Sequence, residues 1–299
     1  MLFRSQYDWT IKSWINSVSV PPQAPDEGVF DFRVLPNGQK AYLANLNSLG
    51  SGIGWLYAVD LLTKQVKAVP IDGYPMCLEA NPSSTRIYIG TGWPSNISSN
   101  NLLVLDTTTD TVLGSIPLGL SIYGWPYSQI NDLQIDPNNS RFLYATSTDG
   151  NALIKLDIED LTLSNVKVFN REKYQPHTFI RREPYAFGNI IIHKSAKSFE
   201  FNLNNATIDR VVRFPGIRQD VYVYDVGILS NGRFLIIQGE YFLEVDPQEM
   251  AIVETHPLPN DIPSLWAFSL SNDKTKIYSL SNYLYETATY FFVLNSVTF

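Results

Sequence analysis

Six apolar runs, each ending in an Asp or Asn at nearly even spacing, predict an all-β chain folded as a β-propeller. The six residues are Asp60, Asp106, Asp157, Asn202, Asp246 and Asn295, at intervals of 46, 51, 45, 44 and 49 residues. A period of about 40–50 residues, with strands and turns inside each unit, belongs to propeller blades. The composition agrees: with 17% charged and 13% aromatic residues, the chain suits sheets that bury alternate faces.

Each element follows from local chemistry. An Asx side chain at a strand end accepts a backbone N–H two residues on and closes a tight turn. After Asp106 come Thr107–Thr111 and an alternating strand through Ile116; Asp60 leads likewise through Thr63 and Lys64 to Val66–Pro70. Two further strands precede each Asx, joined by a polar turn. Met76–Ala80 and Arg86–Gly90 flank Asn81–Ser84, and Arg141–Thr146 follows Asp136–Asn139. Ser230–Gly232 precedes Arg233–Gln238, and Ser271–Lys274 precedes Lys276–Leu280. The predicted blades are four-stranded and antiparallel, spanning roughly 22–74, 75–120, 128–174, 175–216, 221–259 and 264–299.

The stretch Leu103–Gly119 and the hairpin Pro36–Leu43 resemble the YVTN-type β-propeller repeat, closely in units one to three and weakly in four to six. The resemblance implies a fold and no single reaction. Asn295 is followed by only four residues, so the last unit lacks an outer strand, and Thr10–Pro21 has the pattern to supply it together with 5–9. The expectation is a single domain over 1–299 of six blades, closed by an N-terminal strand that completes the C-terminal blade; seven blades is the alternative.

Several classes are disfavoured. The net charge of −7 argues against a phosphate-backbone partner. No apolar run approaches the length of a membrane span. The first 20 residues, with Asp8 and Lys12, lack a signal-peptide core, and the lone Cys77 rules out an intrachain disulfide framework. A cytoplasmic location is the expectation. No haem-attachment motif, nucleotide-binding glycine loop or zinc motif (a Cys pair or HExxH) occurs.

Any site therefore has to be assembled from separate blades, on the loops that crowd one end of the propeller axis. The loop Gly119–Ser128 carries Tyr123, Trp125 and Tyr127, and other loops or their edges carry Tyr174, Arg181, Arg218, Tyr222, Trp266 and Tyr283. Aromatic faces with a few ionisable groups suit a small organic ligand. The competing readings are a plug for the central channel or a protein-binding surface.

Aligning inner strands on their hairpin turns brings Asp31, Cys77, Asp132, Asp225 and Trp266 to one position. If Asp31, Asp132 and Asp225 converge, they suit Ca²⁺ or Mg²⁺ or acid–base work; otherwise each binds backbone N–H groups and locks blade to blade. His177 on a crossover loop is the candidate proton carrier, with Asp132 and Tyr123 as partners. His193 and His256 read as structural. Small-molecule binding is the favoured function, with a lactonase-like hydrolase or acid–base lyase of small-molecule metabolism as the alternative and a protein-interaction scaffold as a third.

Overall fold

The computed structural model describes residues 6–8, 13–16, 28–46, 53–92, 101–118, 130–136, 139–147, 152–168, 178–181, 189–194, 197–202, 207–213, 223–229, 231–238, 241–246, 248–249, 251–257, 267–270, 276–282 and 289–295. Among them every regular element is a strand. No helix there is long and apolar enough to cross a membrane.

Two short strands, β1 (Gln6–Asp8) and β2 (Ser13–Asn16), precede the repeats. The first antiparallel sheet holds β3 (Gly28–Val34), β4 (Lys40–Leu46), β5 (Ile53–Asp60) and β6 (Val66–Asp72). The second holds β7 (Tyr74–Ala80), β8 (Arg86–Gly92), β9 (Asn101–Asp106) and β10 (Thr111–Pro117). The third holds β11 (Ile130–Ile135), β12 (Phe142–Ser147), β13 (Ala152–Asp157) and β14 (Thr162–Val168). The fourth holds β15 (Thr178–Arg181), β16 (Asn189–Lys194), β17 (Lys197–Asn202) and β18 (Thr207–Arg213). The fifth holds β19 (Val223–Ile228), β20 (Phe234–Gln238), β21 (Tyr241–Asp246) and β22 (Ala251–Pro257). The last begins with β23 (Ala267–Leu270), β24 (Lys276–Asn282) and β25 (Thr289–Asn295). The first five sheets are simple meanders in chain order.

The N-terminal strands join this last sheet in the order β2-β1-β25-β24-β23. The pairing differs from a single added antiparallel strand. It is Gln6–Asp8 that lies against β25, and it runs parallel, with Tyr7 opposite Leu294 and Asp8 opposite Asn295. Ser13–Asn16 then folds back antiparallel on β1 as a fifth strand. A three-residue strand holds too few positions for alternation to reveal it, so the longer pattern at Thr10–Pro21 dominated the sequence reading.

The Asx turns form as their chemistry requires. Asp60 Oδ1 accepts N–H groups from Leu62 and Thr63 at 3.0 and 2.7 Å. Asp106 does the same with Thr108 and Thr109, Asp157 with Glu159 and Asp160, and Asp246 with Gln248 and Glu249. Four residues after the first three of these Asp residues, Lys64, Asp110 and Leu161 adopt positive φ of 62°, 54° and 53°. Such a conformation in a non-glycine residue costs roughly 1–2 kcal/mol. At Asp110 the strain comes with contacts: its Oδ1 accepts from Lys40 Nζ at 2.9 Å and from Tyr42 Oη at 2.5 Å, tying the second sheet's turn to the first sheet.

The core lies between sheets. One cluster joins Tyr42, Leu56 and Ile71 of the first sheet to Leu78, Ile89 and Leu105 of the second. A second joins Cys77, Leu102 and Ile116 to Ile130, Leu143 and Ile154 of the third. Gly90 lies at this second seam because a Cβ there would meet Cys77 Sγ at 2.5 Å and Ile130 Cγ2 at 2.6 Å.

Candidate functional site

Four of the inner strands carry the same irregularity. Register shifts fall between Val29 and Asp31, Pro75 and Cys77, Ile130 and Asp132, and Val223 and Asp225. Each strand thus holds one extra residue, and Asp31, Cys77, Asp132 or Asp225 is the first residue after it. A bulge of this kind bends the strand and re-aims its side chains, and bulges cluster at rims and beside functional sites.

At Asp31 the side chains show what the bulge achieves. Its Oδ1 accepts the Phe32 N–H at 2.8 Å, and its Oδ2 accepts the Leu78 N–H of the second sheet at 2.7 Å. Asp132 repeats the local half, accepting the Leu133 N–H at 2.9 Å. Cys77 makes the next link: its Sγ donates to the Ile130 carbonyl of the third sheet at 3.4 Å. Arg33 adds to the first seam, with Nε donating to the Leu78 carbonyl at 3.0 Å and Nη2 lying 3.7 Å from Glu79 Oε2.

The electrostatics follow from burial. Desolvation holds the Asp31 carboxyl above its ordinary value, against the lowering effects of Arg33 and of the Leu78 and Phe32 N–H groups. Burial also drives the Cys77 thiol well up, and the charges of Asp132 and Asp31 push it further. Both carboxylates thus act on one buried thiol, which stays neutral and is a poor nucleophile. Both Asp31 oxygens already accept a backbone N–H, so a cation there would have to share them.

Asp31, Cys77 and Asp132 take equivalent positions on three successive inner strands. Asp225 occupies the equivalent backbone position in β19, and Arg181 ends β15. Tyr123, Trp125, Tyr127, Tyr174, His177, Arg218, Tyr222, Trp266 and Tyr283 lie outside the described residues. Two features escaped the sequence reading. Thr146, cross-strand from Asp132, is fully buried with an unpartnered hydroxyl; residue type alone gives no signal for that. On the fifth sheet, Glu244 lies among Arg233, Asn231 and His256. There the alternation Glu254-Thr255-His256 was the available signal, since it sets two potential ligands on one face of a strand.

No protein-family model matches the sequence, and no curated protein matches it. Solved structures do match. A chain of Kuenenia stuttgartiensis hydrazine synthase aligns with a TM-score of 0.58 at 12% identity, covering 90% of this chain and 80% of that one. A chain of the mitotic checkpoint complex aligns with a TM-score of 0.62 at 11% identity, covering 91% and 76%. At such identity the likeness is one of fold alone. With the repeated four-stranded antiparallel sheets, it identifies an all-β, β-propeller-like architecture.

Proposed function

We propose that this chain is a six-bladed β-propeller, closed by its N-terminal strands, that binds a small organic molecule at the axial face. The closure is supported by neighbour relations among the inner strands: β3, β7, β11, β15, β19 and β23 touch in series, and β23 touches β3. The YVTN-type repeat describes the first three units on sequence grounds.

The observation that carries the binding reading is the repeated bulge at the start of the inner strands. Ile130, the first residue of β11, directly follows the segment that bears Tyr123, Trp125 and Tyr127, and Tyr222 directly precedes Val223, the first residue of β19. Bulges so placed would set how aromatic-rich loops leave a rigid scaffold. In this reading Tyr123, Trp125, Tyr127, Tyr222 and Trp266 supply apolar area, while Tyr174, Arg181, Arg218 and Tyr283 fix orientation.

The test is a thermal-shift screen of a metabolite library against the full chain, with and without divalent cations. At least one compound should raise the melting temperature, and Trp125→Ala should abolish that shift while leaving the unliganded melting point unchanged. A screen without hits, or a shift indifferent to Trp125→Ala, removes the proposal.

A second reading, an enzyme using Asp132, His177 and Tyr123, is favoured by one observation: Asp132 is the first residue after the bulge of β11, a feature that clusters beside functional sites. In that case Asp132→Asn should retain binding of a hit compound and lose its turnover.

A further inference from the structure

The fifth sheet holds a cluster unrelated to the axial face. Glu244 of β21 stands directly opposite Glu254 of β22, and Phe242 stands opposite His256. Alternation along β22 places Glu254 and His256 on one face, and cross-strand pairing adds Glu244 to it. Glu244 Oε2 lies 3.9 Å from His256 Nε2, and Glu254 Oε1 lies 3.9 Å from His256 Nδ1. One potential ligand atom from each of the three residues lies within 4.8 Å of the others.

We propose that Glu244, Glu254 and His256 form a binding site for a borderline transition-metal dication of the Zn²⁺ type. Three arguments support it. Two carboxylates directly opposite on one sheet face repel, and a cation between them relieves this beyond what Arg233 supplies at Glu244 Oε1. Arg233 Nη1 at 2.7 Å and Asn231 Nδ2 at 3.3 Å both hold Glu244 Oε1, which orients the carboxylate and leaves Oε2 toward the imidazole. Third, one nitrogen and two oxygens suit zinc rather than the larger all-oxygen shell of Ca²⁺. Ligand atoms around a tetrahedral ion sit about 3.4 Å apart, and the two carboxylates approach different nitrogens of His256, so an ion on one nitrogen needs the farther carboxylate to swing toward it. The side chain of Glu254 can supply that motion at 59% exposure, whereas Glu244 is fixed at 1%. A Glu-x-His pair completed by a residue from the next strand forms no linear motif, which is why a search for Cys pairs and HExxH does not meet it.

The rival occupant is a proton, giving an imidazolium bridged between two carboxylates. Co²⁺ separates the two because it reports its own ligand field. Full-length protein, stripped with chelator, should show a saturable visible absorption band with one equivalent of Co²⁺, displaced by Zn²⁺. Glu254→Gln and His256→Gln should each weaken the affinity at least tenfold, with matched far-ultraviolet circular dichroism. Because Glu254 is exposed, its variant tests the ligand role even if changes at Glu244 impair folding. Absence of a saturable band, or a band equally strong in both variants, overturns the site; the second outcome places the ion elsewhere, as on the axial carboxylates.

Discussion

The seams on the two sides of the second sheet and the far faces of the third and fifth sheets use the same repeat differently. Two residues before the Asx turn stand Ala58 and Val104 in the first two sheets, both buried in apolar clusters. The same position holds Lys155 in the third sheet and Glu244 in the fifth. Lys155 Nζ sits 4.0 Å from the centre of the Phe142 ring, and Glu244 is held by Arg233. The repeat therefore fixes turns, bulges and register while leaving the contents of each seam open. An aliphatic seam gains hydrophobic stabilisation at roughly 25 cal/mol per Å² buried. A seam with a buried ion pair must first meet a desolvation cost, and its net contribution is near zero. Adhesion thus belongs to the apolar seams, and the polar ones are free to carry chemistry.

That contrast can be broken most strongly in the first seam. Ile89 is fully buried there, and Ile89→Ala should cost about 4 kcal/mol through lost burial and a residual cavity, read as a lower urea midpoint. Next comes Asp31→Ala, which strands the N–H groups of Phe32 and Leu78 and should cost about 3 kcal/mol. Smaller still is Glu244→Met: Arg233 is 38% exposed and can turn to water, so the change should stay within about 1 kcal/mol. A loss there as large as at Ile89 would show that the polar face is adhesive after all.

The smallest expected effect lies in acid titration. The Thr109 and Thr108 N–H groups hold the Asp106 carboxyl below its ordinary value, as Thr63 does first for Asp60. Such groups bind protons less readily when folded, so their contribution is present above the ordinary carboxylate value and is lost as pH falls through the lowered one. Asp31 has the opposite sign. Its raised value means that its contribution declines as pH rises from the ordinary carboxylate value through the raised one. Asp106→Asn keeps the acceptor oxygen while removing the charge, and should flatten the acid limb of a stability–pH curve. A curve unchanged by the substitution would mean that the turn carboxylates do not govern acid sensitivity.

How far the sequence led depended on how local the physics was. Asx turns and hairpin positions need only neighbouring residues, so Asp60, Asp106, Asp157 and Asp246 were legible as turn formers. Aligning hairpin turns also brought Asp31, Cys77, Asp132 and Asp225 to one register, because each inner strand carries its extra residue on the same side of that position. What those residues touch was not legible. The partner of Asp31 is the Leu78 N–H, 47 residues away, and a backbone donor leaves no mark in residue type. The parallel pairing of Gln6–Asp8 was hidden by its brevity, and the Glu244 cluster by its spread over two strands.

The central claim is that Asp31 joins the first sheet to the second through the Leu78 N–H; the proposed ligand reading leaves the loops free of that task. Amide hydrogen exchange at Leu78, compared between the native chain and Asp31→Ala, tests it directly. Protection at Leu78 should fall sharply in the variant, with and without added Ca²⁺ or Mg²⁺. Unchanged protection at Leu78, accompanied by loss of divalent-cation binding, would contradict the account and assign Asp31 to a metal.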